Sequence, residues 1–387
     1  MGKAGEGFVP PPYPHDRLGA LREVAERAPG GFVDASVGTP VDPTPAFVIA
    51  AARDALERAT GYPASIGYPE LREAAAAWIQ RRFGIGIGAD GVTACVGTKE
   101  AVASLPRVLA LRDPGRDTVL YPALSYPTYA MGATLAGLRP VPVPVDEHWR
   151  PDVTAVRPED ADRALLLWCN DPANPTGVTA SASGLAGTVE WARGREIVVA
   201  SDECYAEFTY DDAGAPAAPV TALSGDPTGV LAVHSLSKRS NMAGFRVGFY
   251  AGDHELVRYL GEVRKHAGMM IPSPMQAAGV AALGDDEHVE QQRGRYAARR
   301  ARLVDAFAAI GVVHDGGPSA FYLWLRTKDS ETDDWTLAAR FARAGVLVAP
   351  GDLYGPDGAH HVRLALTLTD EQVERVADNV VHLEEQT

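Results

Sequence analysis

Residues 230–248, VLAVHSLSKRSNMAGFRVG, decide how this chain folds and where its chemistry lies. An apolar run ends in hydroxyls at Ser235 and Ser237, followed by Lys238 and by Arg246 between two glycines. Ligands of open α/β sheets bind at the carboxyl ends of strands, and Lys238 is predicted at such an end. A lysine amine can form a Schiff base with a phosphate-bearing aldehyde while hydroxyls and a guanidinium hold the phosphate. The ordinary alternative is a surface lysine and arginine beside a turn.

Short apolar runs on both sides of this stretch alternate with helical patterns. Continuous runs rich in valine, leucine and isoleucine are typical of strands buried on both faces of a parallel sheet. The predicted strands are Gly91–Val96, Thr118–Tyr121, Val141–Val145, Ala164–Cys169, Ile197–Ser201, Val230–His234 and Val247–Tyr250. Amphipathic stretches between them, such as Leu71–Phe83 and Lys99–Leu111, predict helices. The fold class is therefore predicted as α/β, with a mostly parallel sheet between helices.

The pattern changes after residue 285, where apolar residues recur at helical intervals within a charged stretch. These residues are Val289, Tyr296, Leu303 and Phe307. Short strand-like pieces and a final helical pattern follow. We predict a large α/β domain over residues 40–285 and a smaller α+β domain built from residues 1–39 and 286–387. A helix that opens near Asp16 is expected to pack against the smaller domain.

Composition excludes several classes of protein. The 387 residues include 36 basic and 50 acidic ones, a formal charge of −14, which disfavours nucleic acid and anionic membranes as partners. Cys95, Cys169 and Cys204 lie too far apart in sequence to indicate a disulfide framework or a thiolate metal site. No apolar run approaches the ~20 residues of a membrane-spanning helix, and the N-terminus lacks a signal-peptide pattern. A cytoplasmic protein without a metal site is expected.

Four other segments place useful side chains at predicted strand ends. Asp202 follows a strand, where its carboxylate could keep a pyridine nitrogen protonated. Residues 97–99, GTK, join a strand to a helix whose N-terminus offers backbone N–H groups to a phosphate. Asn174 lies in a Pro/Gly turn as a side-chain donor, and Tyr126 offers an aromatic face to a flat ring. Each segment alone could be a solvated loop, but five such segments at successive strand ends predict one ligand site.

These motifs together resemble the class I/II aminotransferases, which are pyridoxal-phosphate enzymes of fold type I. The resemblance runs in order along nearly the whole chain. It implies that Lys238 forms the Schiff base with the cofactor and that Asp202 pairs with the pyridine nitrogen. It further implies that Asn174 and Tyr205 contact the phenolic oxygen of the ring and that Tyr126 stacks on the ring. Lys238, Asp202 and Tyr205 are the implied catalytic residues.

The resemblance also assigns the two ends of the ligand site. The residues that would hold the phosphate are Gly97, Thr98, Lys99, Ser235, Ser237 and Arg246. Tyr62 matches a tyrosine that reaches the phosphate from the partner subunit, which implies a homodimer. Arg363 matches the arginine that binds the substrate α-carboxylate, for which a planar guanidinium fork is suited, with Asn174 beside it. Gly38 matches the glycine next to that carboxylate, where a side chain would crowd the substrate.

A finer resemblance is to the actinobacterial type of succinyldiaminopimelate aminotransferase, an enzyme of lysine and diaminopimelate biosynthesis. Its motifs match residues 36–43, 97–100, 234–238, 264–276 and 350–355. It implies amino transfer from N-succinyl-LL-2,6-diaminopimelate to 2-oxoglutarate, giving N-succinyl-2-amino-6-oxopimelate and glutamate. That substrate carries several carboxylates, and the cations that could bind its distal end are Arg264, Lys265, His266 and Lys99.

Several alternatives stay open on the sequence. Residues 317–322, GPSAFY, depart from the finer pattern, and a broad, aromatic or aspartate-type aminotransferase is favoured if Phe321 and Tyr322 line the pocket. Elimination or decarboxylation at the same α-carbon would use the same cofactor and lysine. Residues 235–238 formally match the S-x-x-K motif of serine acyl-transfer enzymes, but the S-D-N and K-T-G motifs that accompany it are absent. A non-catalytic binding protein is disfavoured because the lysine, aspartate and both arginines are present.

Overall fold

Strands in the described part of the chain, residues 7–328 and 331–381 of a computed structural model, form three sheets. In chain order they are β1 (Val33–Asp34), β2 (Val92–Cys95), β3 (Thr118–Pro122), β4 (Arg139–Val143), β5 (Ala164–Asn170), β6 (Val198–Asp202), β7 (Val230–Ser235), β8 (Gly248–Gly252), β9 (Val312–His314), β10 (Tyr322–Thr327), β11 (Val346–Leu347), β12 (Ala349–Pro350) and β13 (Val362–Ala365). The largest sheet has the order β2-β8-β7-β6-β5-β3-β4. Its strands β3 to β7 are parallel, whereas β8 runs antiparallel to β2 and β7. The predicted mostly parallel α/β sheet is confirmed.

Helices connect these strands and cover them. They are α1 (Gly19–Glu26), α2 (Ala46–Leu56), α3 (Pro69–Phe83), α4 (Thr98–Arg112), α5 (Thr128–Leu135), α6 (Pro158–Ala161), α7 (Ala182–Arg193), α8 (Leu236–Arg239), α9 (His254–Ala267), α10 (Ser273–Leu283), α11 (Glu287–Ala309), α12 (Asp334–Arg343) and α13 (Asp370–Val380). Within residues 7–328 and 331–381, no helix is both long enough and apolar enough to cross a membrane.

Alternate residues of each central strand pack into different apolar clusters, as the two-residue period of a strand requires. On β5, Leu167 packs with residues of α2, α3, α7 and α10. The next residue, Trp168, packs with residues of α4, α5 and α9 instead. The sheet is therefore buried on both faces, which explains why its strands have continuous apolar sequences.

The C-terminal part forms a second, four-stranded antiparallel sheet in the order β12-β13-β10-β9. The predicted long amphipathic helix is α11, and α13 packs along it. The N-terminal segment joins this unit because β1 pairs in parallel with β11 and α1 packs on α12. The expected packing of the N-terminal helix against the smaller unit is therefore observed. The exact division at residues 40 and 285 stays a prediction.

The large sheet brings three of its strand ends to one edge. Asn170 is the last residue of β5, Asp202 of β6 and Ser235 of β7, and these three strands are parallel neighbours. The aromatic residues that follow β6 pack into the same apolar cluster as Tyr322 of the second sheet and Phe321 just before it. The carboxyl edge of the large sheet therefore faces the smaller unit, and the space between them holds the candidate site.

Candidate active site

A cavity of about 350 Å³ opens at this carboxyl edge and is lined from both sheets. The sequence-predicted residues that line it are Gly38, Thr98, Lys99, Tyr126, Asn174, Asp202, Tyr205, Ser235, Ser237, Lys238, Arg246 and Arg363. Gly97 lies directly behind it, against the Arg246 guanidinium. The chain folds so that residues separated by more than three hundred positions meet at one cavity, as the motif spacing predicts.

One end of the cavity is a cradle for an anion, and a glycine makes room for it. The backbone of Gly97 has φ +74° and ψ 149°, a conformation that is almost restricted to glycine, and a Cβ there would clash with the guanidinium of Arg246. Helix α4 begins at the next residue, so its first N–H groups and positive dipole end point toward the cradle. Nη1 of Arg246 lies 3.0 Å from the Ala243 carbonyl oxygen and 3.5 Å from Oγ of Ser237.

Lys238 is fixed beside this cradle by the short helix α8. The Oγ of Ser235 caps that helix by accepting a hydrogen bond from the Ser237 backbone N–H at 3.1 Å. Nζ of Lys238 donates to the carbonyl oxygen of Gly38. Burial, together with the charges of Arg363 and Arg246, lowers the pKa of Lys238 to about 8. More of the amine is therefore neutral near pH 7 than in an exposed lysine, which makes it a better nucleophile.

Asp202 lies on the cavity floor and is oriented by two hydrogen bonds. Its Oδ2 accepts from the Tyr129 hydroxyl at 2.9 Å, and its Oδ1 accepts from the Cys204 backbone N–H at 3.2 Å. Burial raises the pKa of Asp202, so a cationic group opposite this carboxyl would stabilise its charged form. Tyr129 stacks on Trp168 with ring centroids 5.0 Å apart, which holds the phenol in place. A protonated ring nitrogen would suit this carboxyl.

Asn174 and Tyr205 lie between the two ends of the cavity. The Asn174 backbone N–H donates to Oδ1 of Asn170 at 2.8 Å, which fixes the Pro/Gly turn. Its side-chain Oδ1 accepts from Nη1 of Arg363 at 2.9 Å, so its amide nitrogen is the group that can donate to a ligand. The hydroxyl of Tyr205 lies 2.9 Å from the hydroxyl of Tyr322.

The opposite end is built around the buried guanidinium of Arg363. Its Cζ lies 4.3 Å from the ring centroid of Tyr322 and 4.9 Å from that of Tyr354. Nη2 donates to the Ser36 carbonyl oxygen. A Cβ on Gly38 would clash with the Tyr322 hydroxyl, so the glycine is required by a protein side chain as well as by space for a substrate. The planar guanidinium is thus held by two aromatic rings and two hydrogen bonds, and it is suited to a carboxylate.

The mouth of the cavity carries residues that sequence reasoning missed. Tyr13 and His15, from the segment before α1, line it together with Lys99. Nζ of Lys99 donates to the Tyr13 hydroxyl at 3.2 Å and lies 4.7 Å from the centroid of its ring. Nothing in the sequence linked this N-terminal segment to the site. Tyr129 had a signal, because it lies three residues after Tyr126 in the sequence SYPTY of residues 125–129.

Some predicted residues lie outside the cavity of their own chain. Arg264 is only 5 % exposed and forms an ion pair with Glu100 at 2.8 Å. Lys265 pairs with Glu262 at 2.6 Å on the surface of α9, and neither it nor His266 lines the cavity. Tyr62 is 96 % exposed, as a residue that reaches another subunit would be in a single chain.

These features fit pyridoxal phosphate. The glycine-lined cradle with Arg246 offers backbone N–H groups, hydroxyls and one guanidinium to a phosphate dianion. The buried Asp202 suits a ring nitrogen, and Lys238 carries a nucleophilic amine for the aldehyde. Tyr126 lines the same cavity with an aromatic face. The donor set matches each functional group of the cofactor.

Comparison with known proteins agrees with this fit to pyridoxal phosphate. The family described as aminotransferase class I and II matches residues 32–380. A probable aminotransferase of Mycobacterium tuberculosis is 48 % identical over 370 residues, covering 94 % of this chain and 83 % of that protein. The 4-dedimethylamino-4-oxo-anhydrotetracycline transaminase OxyQ of Streptomyces rimosus is 42 % identical over 372 residues, covering 95 % of this chain and 98 % of that protein.

A solved structure shares the fold across almost the same length. The probable N-succinyldiaminopimelate aminotransferase of Thermus thermophilus superimposes with a TM-score of 0.84 at 28 % identity, covering 94 % of this chain and 99 % of that chain. The family match spans far more than half of the sequence, and it includes every segment that lines the cavity except the N-terminal one. The chain therefore belongs to the class I and II aminotransferases, and it is a pyridoxal-phosphate-dependent enzyme of fold type I.

Proposed function

We propose that this aminotransferase uses N-succinyl-LL-2,6-diaminopimelate as amino donor and 2-oxoglutarate as acceptor, giving N-succinyl-2-amino-6-oxopimelate and glutamate for lysine and diaminopimelate biosynthesis. The observation that carries the proposal is a second cation in the cavity of Arg363. Lys99 lines the mouth of that cavity. Besides burial, the charges of Arg363 and Lys99 both lower the pKa of His15, which lines the same cavity. A polycarboxylate can therefore meet a cation at each end.

The proposed roles follow from the contacts. Pyridoxal phosphate, when bound, supplies an electron sink for the bonds at the substrate α-carbon. Lys238 holds the cofactor covalently at rest and, once released, moves the α-proton as a general base. Arg363 binds the substrate α-carboxylate and so aims the α-carbon at Nζ of Lys238. Asp202, oriented by Tyr129, keeps the ring nitrogen protonated.

The remaining sequence-predicted residues complete the proposed site. Asn174 donates to the phenolic oxygen of the cofactor together with Tyr205, and Tyr126 stacks on the ring. The phosphate is bound by the backbone N–H groups of Gly97, Thr98 and Lys99 and by the side chains of Thr98, Ser235, Ser237 and Arg246. The Thr98 hydroxyl accepts from Sγ of Cys204 at 3.2 Å, which turns its own proton away from Cys204 and toward the cradle.

The proposal includes a homodimer in which Tyr62 reaches the phosphate cradle of the partner. Its 96 % exposure is unusual for a tyrosine. Large apolar side chains are also exposed on α2, namely Phe47, Ile49 and Leu56, and a dimer would cover such surface. Light scattering across a dilution series, run beside an activity assay, tests this part. A fully active monomer of 41.0 kDa would contradict it.

A second candidate is a broad or aromatic amino-acid aminotransferase. It is favoured by the aromatic lining of the cavity, because Tyr322, Tyr126 and Tyr13 all contribute to it. Phe321 is fully buried behind this lining, with its ring centroid 5.7 Å from Nζ of Lys238. The Streptomyces rimosus relative, whose name gives a polycyclic substrate, also supports a site that accepts large ring systems.

Half-reaction rates separate the two candidates. The loss of the visible cofactor band is followed after addition of succinyldiaminopimelate, phenylalanine, aspartate or alanine, with analysis of the products. Succinyldiaminopimelate should react fastest, and N-succinyl-2-amino-6-oxopimelate should form without elimination or decarboxylation. A tenfold preference for an unsuccinylated amino acid, about 1.4 kcal/mol in transition-state binding, would overturn the proposal.

Removing the charge of Lys99 tests whether this residue binds the distal carboxylate of the substrate. Lys99→Gln should lower the rate with succinyldiaminopimelate while leaving the rate with alanine within about twofold, because alanine has no distal carboxylate. Lys265→Gln is the matched control, since that lysine pairs with Glu262 outside the cavity. Equal losses for both donors in Lys99→Gln would show that Lys99 acts only on the cofactor.

A further inference from the structure

We propose that Tyr322 is a positioning residue with two separable tasks: its hydroxyl strengthens the hydrogen bond that Tyr205 offers to the cofactor, and its ring supports Arg363. The inference rests on the proposed roles of Tyr205, Lys238 and Arg363. Tyr322 begins β10 of the smaller sheet, whereas Tyr205 follows β6 of the larger one. One side chain therefore links the oxygen side of the cofactor to the site of the substrate carboxylate.

The hydroxyl contact has a fixed direction once a ligand is present. The two phenol oxygens are 2.9 Å apart, and each carries a single proton. When Tyr205 donates its proton to an oxygen in the cavity, only Tyr322 can supply the proton between the two phenols. Burial raises the pKa of both hydroxyls, so both are protonated and act as donors near pH 7. The result is a chain of two hydrogen bonds that ends on the ligand.

Such a chain strengthens its terminal bond. Hydrogen bonds in a row polarise one another, by about 10–30 % per bond. A stronger donor to the phenolic oxygen stabilises negative charge on that oxygen. It thereby weakens the attraction between this negative charge and the proton on Nζ of Lys238 when that nitrogen is joined to the cofactor. Removing the Tyr322 hydroxyl should therefore raise the pH at which this nitrogen loses its proton.

The surroundings of Tyr322 orient its ring and its hydroxyl. Its side chain is only 2 % exposed. The guanidinium of Arg363 lies against its ring face, with Cζ 4.3 Å from the centroid, and the hydroxyl lies where a Cβ of Gly38 would otherwise be. The ring also packs edge to face on Tyr205, with centroids 5.5 Å apart. The same packing that orients the hydroxyl supports the guanidinium.

Two substitutions at Tyr322 separate the tasks, and Tyr354 provides the control. Tyr322→Phe removes only the hydroxyl, while Tyr322→Leu also removes the ring beneath Arg363. Tyr354 contacts the same guanidinium at 4.9 Å, but within residues 7–328 and 331–381 its buried hydroxyl has no hydrogen-bond partner. Tyr354→Phe therefore removes a hydroxyl beside Arg363 without touching the chain that leads to the cofactor.

The test is a pH titration of the visible absorbance of the pyridoxal-phosphate-loaded protein, with KM measured on the same preparations. Tyr322→Phe should move the titration midpoint upward by about half a pH unit and keep KM for the amino donor within about twofold. Tyr322→Leu should show the same shift and a KM raised on the order of tenfold. Tyr354→Phe should titrate like the wild type. Tyr322→Met replaces Tyr322→Leu if the latter does not fold.

Each result decides one part. An unchanged midpoint in Tyr322→Phe overturns the role of the hydroxyl, and an unchanged KM in Tyr322→Leu or Tyr322→Met overturns the role of the ring. An equal shift of the midpoint in Tyr354→Phe would also overturn the role of the Tyr322 hydroxyl, because the effect would then come from any hydroxyl near Arg363. Failure of the proposed function looks different: the wild type would lack a visible band that titrates, or would not react with amino acids.

Discussion

The two ends of the cavity are built on different principles. We call them the phosphate end and the carboxylate end, after the ligand groups that we propose bind there. The phosphate end consists of two short stretches, residues 97–99 and 235–246, and relies on backbone N–H groups and a helix N-terminus. The carboxylate end gathers single residues from distant segments around Arg363 and relies on packed side chains. A site of the first kind is formed by residues that are consecutive in the sequence, whereas one of the second kind forms only when the two sheets pack together.

The two ends meet at Lys238. Burial lowers the pKa of its amine, and so do the charges of Arg363 and Arg246, one from each end. The lysine is therefore tuned by both, although its own position depends on the short helix of the phosphate end. Apart from this shared effect on Lys238, substitutions at one end should leave the other intact, and the first two predictions below test that separation.

The largest effect is expected at the carboxylate end. Arg363→Ala removes a buried cation and leaves the Asn174 amide oxygen without its donor, a loss of about 2–5 kcal/mol, which corresponds to roughly 30- to 5,000-fold in kcat/KM. Arg363→Lys should recover only part, because a single ammonium cannot make the bidentate fork. Both amino and oxo acids should be affected, while the cofactor dissociation constant stays within about twofold. A parallel loss of cofactor affinity would show that the ends are not independent.

A smaller effect is expected at the phosphate end. Gly97→Ala forces an alanine into a backbone conformation that costs about 1–3 kcal/mol and pushes Arg246 out of its place, so the cofactor dissociation constant should rise about tenfold or more. KM for the amino donor should change little at saturating cofactor. Gly84→Ala is the control: its φ is +72°, but a Cβ there meets no atom within 4 Å. It should lower stability without changing cofactor affinity.

The smallest effect concerns how the rate of covalent cofactor binding by Lys238, here called the capture rate, depends on pH. Only the neutral amine attacks an aldehyde, so the capture rate should rise as the pH approaches about 8 and level off above it. Arg363→Met removes one of the charges that lower the pKa of Lys238, and the midpoint should then move upward. A wild-type midpoint near the ordinary lysine value of 10.5 would contradict the tuning of the amine by its surroundings.

The contrast between the ends also explains what the sequence could predict. The parallel sheet and the phosphate end follow from local patterns, because a strand, a glycine turn and a helix N-terminus are adjacent in the chain. Asp202 and Lys238 were predictable for the same reason, since Asp202 ends an apolar strand and Lys238 follows the end of another by three residues. Their meeting in one cavity follows from the parallel order of neighbouring strands.

The rest depends on tertiary packing that leaves no local pattern. Tyr322 belongs to a buried strand, as a core residue would, yet its hydroxyl reaches that of Tyr205, which follows β6 of the other sheet. Tyr13 precedes the first helix, and only the folded chain brings it to Lys99. Arg264 shows the opposite case: its basic segment suggested a substrate contact, but Glu100 neutralises it away from the cavity.

The location of the covalent link to the cofactor tests the account most directly. The loaded protein is reduced with borohydride and digested, and the peptides that carry a pyridoxyl group are identified by mass. Two lysines line the cavity, so the alternatives are clear. The pyridoxyl mass should appear on the peptide that contains Lys238 and should be absent from Lys238→Ala. A modified Lys99, or no modified lysine in the wild type, would contradict the assignment on which both ends of the site depend.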